Sequence, residues 1–297
     1  MSRTLAPERL AVIVAAIDAR ATVDASLARW REEADEVVLV DASRDGTADA
    51  AEAAFPDIRV LRRPPGRLAP ELWRDGLDAT DAALVALTTA AMVPAPGWRA
   101  AMLDRLGATG AAAVGGPIAP GSNLSATDRA VYLLRYANYL PPLPEDSSIE
   151  PPGDNAVYRR DRLEGHEALR ARGFWEAEIH RALRARGERL ALSSGASVAF
   201  RGGARLAPML RQRFAHARHY GASRGGRMGP TERLARSAAA AAVPAVLLGR
   251  IAAALVARGQ RLGPWASALP PLSLLLAAWA AGEARGLRAP GPGGTAR

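Results

Sequence analysis

Short apolar runs alternate with amphipathic stretches through the first third of the chain. Residues 10–17 form a continuous apolar run bounded by charge, which predicts a buried parallel strand. Residues 21–34 show helical spacing, with Val23, Leu27 and Trp30 on one face. The segment EVVLVDAS (36–43) predicts a second buried strand ending in polar residues. A helix is expected from the Asp45-Gly46-Thr47 turn, a third strand at 57–63, a helix through Leu72 and Leu77, and a fourth strand in AALVALTT (82–89). This alternation predicts an α/β fold with a mostly parallel central sheet and crossover helices. Ligands of such sheets sit at the carboxyl ends of the strands. Those ends carry Asp18, Asp41, Ser43, Asp45, Thr88 and Thr89.

The middle is less regular. AAAVGGPI (111–118) predicts a strand, 126–139 a helix, and PPLPEDSSIEPPGD (141–154) a mobile loop. NAVYRRDRL (155–163) reads as a short strand and turn, GFWEAEIHRALRARG (173–187) as a helix, and RLALSSGASVAF (189–200) as two short strands. Residues 205–224 predict a basic amphipathic helix. Beyond it lie an apolar run at 237–249, Arg250, a second run at 251–257, and an uncharged stretch at 262–282. Spanning a bilayer takes about 20 apolar residues. Pro264, Pro270 and Pro271 disfavour a straight helix in the first half of the last stretch. Arg258 and Arg261, between the runs, fit poorly in a hairpin turn facing away from the cytoplasm. Membrane association is expected, with a spanning hairpin and an interfacial attachment both open, against a pair of helices buried on each other.

Charge and composition change this picture in three ways. A hydrophobic content of 49% over 297 residues excludes a disordered chain and supports a sizeable core. All 39 basic side chains are Arg, and the net charge is +9. Residues 201–236 hold nine Arg against Glu232 alone, a block suited to a phosphate-bearing or anionic partner. The absence of Cys excludes a disulfide framework, a thiol nucleophile and a Cys-ligated zinc site. The N-terminal apolar core is too short for a secretory leader, so the front of the protein is expected in the cytoplasm.

Five segments then resemble, in order, the motifs of family-2 glycosyltransferases. VVLVDASRDGTADAA is similar to the nucleotide-binding strand written V-V-D-D-G-S-x-D-G-T, and LVALTTAAMVPAPGW to the later F-x-D-A-D-x-x-P-x-P-x-W. PGDNAVYRRDRL and GFWEAEIHRALRARG resemble the acceptor-side turn and the helix carrying the catalytic acid. RQRFAHARHYGASR resembles the basic segment preceding the membrane helices of bacterial exopolysaccharide glycosyltransferases. The likeness spans about residues 10–224. It implies a GT-A fold, a nucleotide-sugar donor, a lipid-linked or polysaccharide acceptor, and single-displacement transfer with inversion.

Two positions depart from the family. Ala42 stands where a second Asp recognises the base, and Thr89-Ala90-Ala91 stands where carboxylates bind the metal. A divalent cation (Mg or Mn) normally bridges the donor diphosphate, because hard cations take oxygen ligands. A hydroxyl and a methyl do not replace two carboxylates, so no metal ligands are assigned. Preorganised guanidinium groups can stabilise the leaving charge instead. The candidates are Arg211, Arg213 and Arg218, with His216 and His219 nearby; a solvated or lipid-facing surface is the other reading of that block. Arg63, Arg67 and Arg74, beside the donor loop, are alternatives, and Arg67 is assigned to the donor with Asp18, Asp41, Ser43, Asp45 and Thr89. Asp45 can equally serve only as a helix cap.

Inverting transfer needs a general base. By position against the motif, Glu176 is preferred, with Glu178 and Asp154 as alternatives and His180 one turn after Glu176 to orient it. Charge at a helix N-terminus is the competing explanation for both glutamates. The expected organisation is a donor-binding half at 1–110, an acceptor-side half at 111–203, a basic linker helix at 204–236 and a membrane-associated tail at 237–297. A non-catalytic relative that binds nucleotide, lipid or a partner enzyme is the alternative reading. A nucleic-acid-binding role rests on charge alone and lacks an aromatic-interleaved basic platform.

Overall fold

The structure is a computed structural model that describes residues 8–145, 148–226 and 228–289. The start of the stretch weighed as a leader, Asp146 and Ser147 of the expected loop, and the end of the expected tail lie outside the described residues.

The chain divides into two compact units: Met1–Ser122 with Tyr139–Gly203, and Asn123–Asn138 with Ala204–Arg297. The first begins with β1 (Leu10–Ala16), α1 (Val23–Glu33), β2 (Glu36–Asp41), α2 (Thr47–Ala54), β3 (Arg59–Arg62), α3 (Ala69–Asp78) and β4 (Leu84–Thr89). It continues with β5 (Met92–Pro94), α4 (Trp98–Thr109), β6 (Ala113–Gly115) and β7 (Ile118–Pro120). The second unit contributes α5 (Ala126–Tyr136), before β8 (Ala156–Arg159), α6 (Glu167–Arg170), α7 (Glu176–Ala185), β9 (Leu190–Leu192) and β10 (Val198–Phe200) complete the first.

The main sheet has the order β3-β2-β1-β4-β8-β6-β9. Its first four strands are parallel; β8 runs antiparallel to both neighbours, and β6 pairs parallel with β9. Every residue of β1 is buried, as its unbroken apolar run requires when helices cover both faces. On one face, Ile13, Val40 and Leu87 pack with Leu72, Trp73 and Leu77 of α3 and with Ile179 and Leu183 of α7. Gly76 allows this approach, because a Cβ there would overlap the Ile13 side chain.

A smaller sheet, β5-β10-β7, forms because the expected strand at 111–118 divides. The chain passes from β6 in one sheet to β7 in the other at Gly116, where a Cβ would strike the Ala196 carbonyl and only glycine allows the approach. The expected helix from Gly173 starts three residues later, at Glu176. Gly173 has φ +119°, and the Phe174 amide is held by the Pro70 carbonyl at 2.7 Å instead of entering a helix.

The second unit is helical: α5, α8 (Leu206–Gly225), α9 (Pro230–Ala239), α10 (Val243–Ala257) and α11 (Leu269–Arg288). The buried positions of α8 are Ala217, Gly221 and Gly225, rather than the large apolar stripe of an amphipathic helix. They face Gly282 and Gly286 of α11 so closely that a Cβ on either glycine would overlap α8 backbone. Pro270 and Pro271 do not break a helix; they lie in the first turn of α11, where a missing N–H costs little. Residues 230–257 and 263–288 are long and apolar enough to cross a membrane by length and composition. The large hydrophobic side chains exposed among the described residues are Tyr220, Leu234, Val246, Val256, Leu262, Leu269 and Leu274, all in this unit.

Candidate active site at the carboxyl end of the sheet

The pairing register brings the expected donor residues to one edge. Ala16 of β1 is opposite Asp41 of β2, and Ala15 is opposite Thr89 of β4. With strands spaced about 4.8 Å, Asp41 and Thr89 stand about 10 Å apart across β1.

Two loops leave this edge and are laced together. Asp18 takes a left-handed conformation (φ 50°), which Asp tolerates better than most residues. Its N–H donates to Ser43 Oγ at 2.8 Å, and its Oδ1 accepts from the Arg44 amide at 3.0 Å. Ser43 Oγ in turn donates to Asp41 Oδ1 at 2.5 Å. Burial pushes the Asp41 carboxyl up from its ordinary value against the Ser43 hydrogen bonds, and Asp45 nearby adds to the rise. Asp45 itself is occupied: Oδ2 accepts from the Arg20 amide, and Oδ1 from the Thr47 amide and hydroxyl. Burial raises its carboxyl, but these hydrogen bonds outweigh it and hold the group below the usual range. Asp45 thus braces the two loops, while the Asp41 carboxyl is raised by burial, and perturbed carboxyls of this kind cluster at functional sites.

Arg63, Arg67 and Arg74 converge on Asp75. Arg63 Nε donates to Asp75 Oδ2 at 2.5 Å, Arg67 lies 3.6 Å from the same oxygen while bonding Glu71 at 3.0 Å, and Arg74 bonds Asp75 Oδ1. The Asp75 side chain is only 6% exposed, against 26–31% for the three guanidinium groups. Burial opposes its ionisation, but the Arg63 and Arg74 hydrogen bonds hold it below the usual carboxylate range. The cluster adjoins the donor edge, since the Arg63 amide donates to the Asp41 carbonyl at 2.7 Å.

Two of the expected catalytic acids, Glu176 and Asp154, come to the same end. Thr88 Oγ1 donates to the Asp154 carbonyl at 3.0 Å, and Trp73 Nε1 to the Thr88 carbonyl at 2.7 Å. A Cβ built on Gly153 would lie 3.1 Å from the Glu176 carboxyl carbon and 3.2 Å from the Trp73 ring. Glu176 therefore sits against Gly153, next to Asp154 and beside β4. Asp154 is 5% exposed and immediately precedes Asn155, whose amide bonds Trp98 Nε1, Pro117 O and Ala196 O. Glu178 lies about 200° further round α7. His180 is buried and bonds Tyr158 and Glu150 rather than a residue of its own helix turn. Trp73, Tyr158 and Glu150 have no sequence signal as site residues. Gly153 lies in the acceptor-side motif, where the missing Cβ leaves room for the Glu176 carboxylate.

The residues at the expected metal position do not fit a divalent ion. Thr89 offers one hydroxyl, Ala90 is buried with its amide on Ala15 O, and the Ala91 carbonyl accepts from the Arg201 amide at 2.8 Å. Among the described residues, no group of three or more His, Cys, Asp or Glu side chains could hold a metal ion.

Arg211, Arg213 and Arg218 belong to α8 in the second unit. Arg211 and Arg218 are exposed, whereas Arg213 stacks over Trp279 of α11 at 4.2 Å. Burial, with Arg135 nearby, draws Arg213 down to about 9, which leaves it charged at neutral pH. Burial, with Arg213 and Arg135 adding to it, takes His216 to about 3, which leaves it neutral.

No protein with curated function shows significant similarity to the chain. Among solved structures, the mannosyltransferase PcManGT from Pyrobaculum calidifontis, in complex with GDP-Man and Mn2+, superposes with a TM-score of 0.52. It is 19% identical, and the alignment covers 95% of this chain and 90% of that one, a likeness of GT-A fold. The sequence pattern of Glycosyl transferase family 2 matches residues 11–166, more than half of the chain. This match and the shared fold place the chain in glycosyl transferase family 2, as a glycosyltransferase.

Proposed function

We propose that the protein transfers a sugar, with inversion, from a nucleotide-sugar donor to a lipid-linked or polysaccharide acceptor at a membrane, without a divalent cation. The observation that carries this reading is the Glu176 carboxyl against Gly153 and Trp73, at the strand end that also presents Thr89. Glu176 takes the proton of the acceptor hydroxyl. The oxygen attacks the anomeric carbon from the face opposite the diphosphate, and the bond to the phosphate oxygen breaks with its electron pair leaving on that oxygen. Asp18, Asp41, Ser43, Arg67 and Thr89 bind the donor, with Asp45 bracing their loops, while Asp154 lines the acceptor side. Glu178 is the alternative base.

The leaving charge is met by guanidinium groups, which bind phosphate bidentately. Arg211, Arg213 and Arg218 are assigned to the diphosphate, and Arg63 and Arg74 are the alternatives. Membrane attachment is supported by the two long apolar helical segments and by the exposed Leu and Val side chains confined to the second unit. A catalytic domain on the cytoplasmic side would meet its nucleotide-activated donor there. The second reading, a non-catalytic relative, draws on the missing acids at Ala42 and at Thr89-Ala90-Ala91.

The test is calorimetric titration of the full chain in detergent with a panel of nucleoside diphosphate sugars, including GDP-mannose, with manganese and again with chelator. Equal binding in both, lost in R213A or R211A, supports Arg-based, metal-independent transfer. Loss in R67A instead moves the diphosphate to the Asp75 cluster. Metal-dependent binding refutes the metal-free reading. Binding without any turnover, with a lipid-linked or polysaccharide acceptor supplied, favours the non-catalytic relative.

A further inference from the structure

Glu176 and His180 are four residues apart on α7, and therefore on one face, one turn apart. His180 is 1% exposed and sits between two partners. Its Nε2 is 2.9 Å from the hydroxyl of Tyr158 on β8, and its Nδ1 is 3.3 Å from Glu150 Oε2. Arg184, one further turn along α7, lies 3.3 Å from Glu150 Oε1. The proton positions follow from what each group can do. A carboxylate only accepts, so Nδ1 carries the hydrogen and donates to Glu150. The remaining lone pair on Nε2 accepts from the Tyr158 hydroxyl, which burial keeps protonated. One imidazole thus serves both partners, one through each ring nitrogen.

Glu150 begins the segment that runs through Pro151, Pro152 and Gly153 to Asp154. Both prolines pack so closely on Gly115 that a Cβ there would overlap them, which fixes the middle of the segment. Its start is fixed by His180 and Arg184, and its end by Thr88, whose hydroxyl holds the Asp154 carbonyl. The spacing between Gly153 and Glu176 is therefore set by two elements, α7 and the 150–154 segment, and His180 is the buried one of the two α7 side chains that hold Glu150.

We infer that His180 is a positioning residue: through Glu150 and Tyr158 it clamps the 150–154 segment and β8 to α7, and so holds the Glu176 carboxylate in register with the acceptor side of the site. This rests on the transferase reading for its catalytic consequence, whereas the clamp itself does not. Misplacing a catalytic group by 1 Å costs about a hundredfold in rate. Releasing one anchor of three is expected to cost about ten- to a hundredfold in kcat on that scale.

The experiment uses the full chain in detergent, with H180F, H180N, E150A and Y158F. H180F keeps the ring volume but loses both hydrogen bonds. The amide of H180N replaces Nδ1 and retains the Glu150 bond. Donor affinity, kcat and backbone amide exchange across residues 150–157 are measured for each, with circular dichroism as the check on folding. H180F and E150A should lower kcat about ten- to a hundredfold, leave donor affinity within about threefold, and speed exchange at Gly153 and Asp154. H180N should recover most of the loss, and Y158F should fall between.

Unchanged exchange and kcat in E150A, whose carboxylate is partly exposed and tolerates replacement, overturns the inference even if H180F fails to fold. Equal losses of affinity and kcat, or H180N behaving as H180F, also overturn it. A wild-type protein that turns over no donor in the panel overturns the transferase reading and the catalytic role together. In that case the exchange data still decide whether the clamp exists.

Discussion

Gly153→Ala tests the catalytic assignment through geometry rather than by deleting the acid. The new methyl group would lie 3.1 Å from the Glu176 carboxyl carbon and 3.2 Å from two ring atoms of Trp73. Comfortable carbon–carbon contact begins at about 3.5 Å, so something must yield by about 0.3–0.4 Å. Trp73 is 2% exposed and tied to Thr88 O, whereas the carboxyl group ends a flexible side chain. Glu176 therefore moves. At about a hundredfold per ångström, a shift of that size lowers kcat about four- to sixfold. The stability cost falls at the low end of overpacking, about 1 kcal/mol. The assay is steady-state transfer from whichever donor the titrations select. E176Q alone should cost about 10²–10⁴ in kcat, and G153A should add nothing in that background because its effect passes through the missing carboxylate. Additive losses in the double variant, or full activity in G153A, would refute the assignment of Glu176 as base.

Three further outcomes follow from packing and titration. D75N leaves three guanidinium groups converging on a neutral amide and should destabilise the fold by about 2–3 kcal/mol at pH 7. Because the Asp75 carboxyl is held below its unfolded value, that stabilisation is present above the ordinary carboxylate range and is lost as pH falls through the folded value. Urea unfolding at pH 7 and pH 3 should therefore show the gap between D75N and wild type closing in acid. D41N should behave oppositely: the Asp41 carboxyl is raised, so the folded state loses stability as pH rises from the unfolded towards the folded value, and the variant gains on wild type between pH 3 and pH 7. G286A places a Cβ against the Arg218 carbonyl and the Ala222 amide of α8, where backbone cannot yield, and should destabilise the helical unit by about 1–3 kcal/mol in thermal melts in detergent.

Much of the parallel half of the sheet could be read directly from the sequence, because it is local. A strand that is buried on both faces announces itself as an unbroken apolar run, and the carboxyl ends of β1, β2 and β4 then bring Asp18, Asp41 and Thr89 to one edge. The second half was less legible because its contacts are long-range. Nothing near Gly116 signals that Ala196, eighty residues on, packs against it where the chain changes sheets. The residues 123–138 read as part of the acceptor half, yet they pack with the C-terminal helices, a pairing that helical periodicity alone does not reveal. Glu150 lay in what read as a mobile Pro-rich loop, and only the folded position of His180 gives it a role.

The Thr89-Ala90-Ala91 turn offers the sharpest test of whether this strand end can take a divalent cation once carboxylates are supplied. The turn is held by backbone: Ala90 N–H donates to Ala15 O at 3.0 Å and Arg201 N–H to Ala91 O at 2.8 Å. Neither bond uses a side chain, and Thr89 and Ala91 are both partly exposed. The double variant Thr89→Asp, Ala91→Asp should therefore fold and supply two hard-oxygen ligands in the same frame. A loosely chelated divalent cation binds at about 10⁻⁴ M. At a hundredfold excess over that constant, mass action adds about 2.7 kcal/mol, or about 5–10 °C in the melting temperature of a domain this size. Wild type should show no manganese-dependent shift, and the variant should show one that chelator reverses. A shift in wild type would mean that ligands other than these residues bind the ion. No shift in a folded variant would mean that two carboxylates in this frame do not by themselves make a cation site.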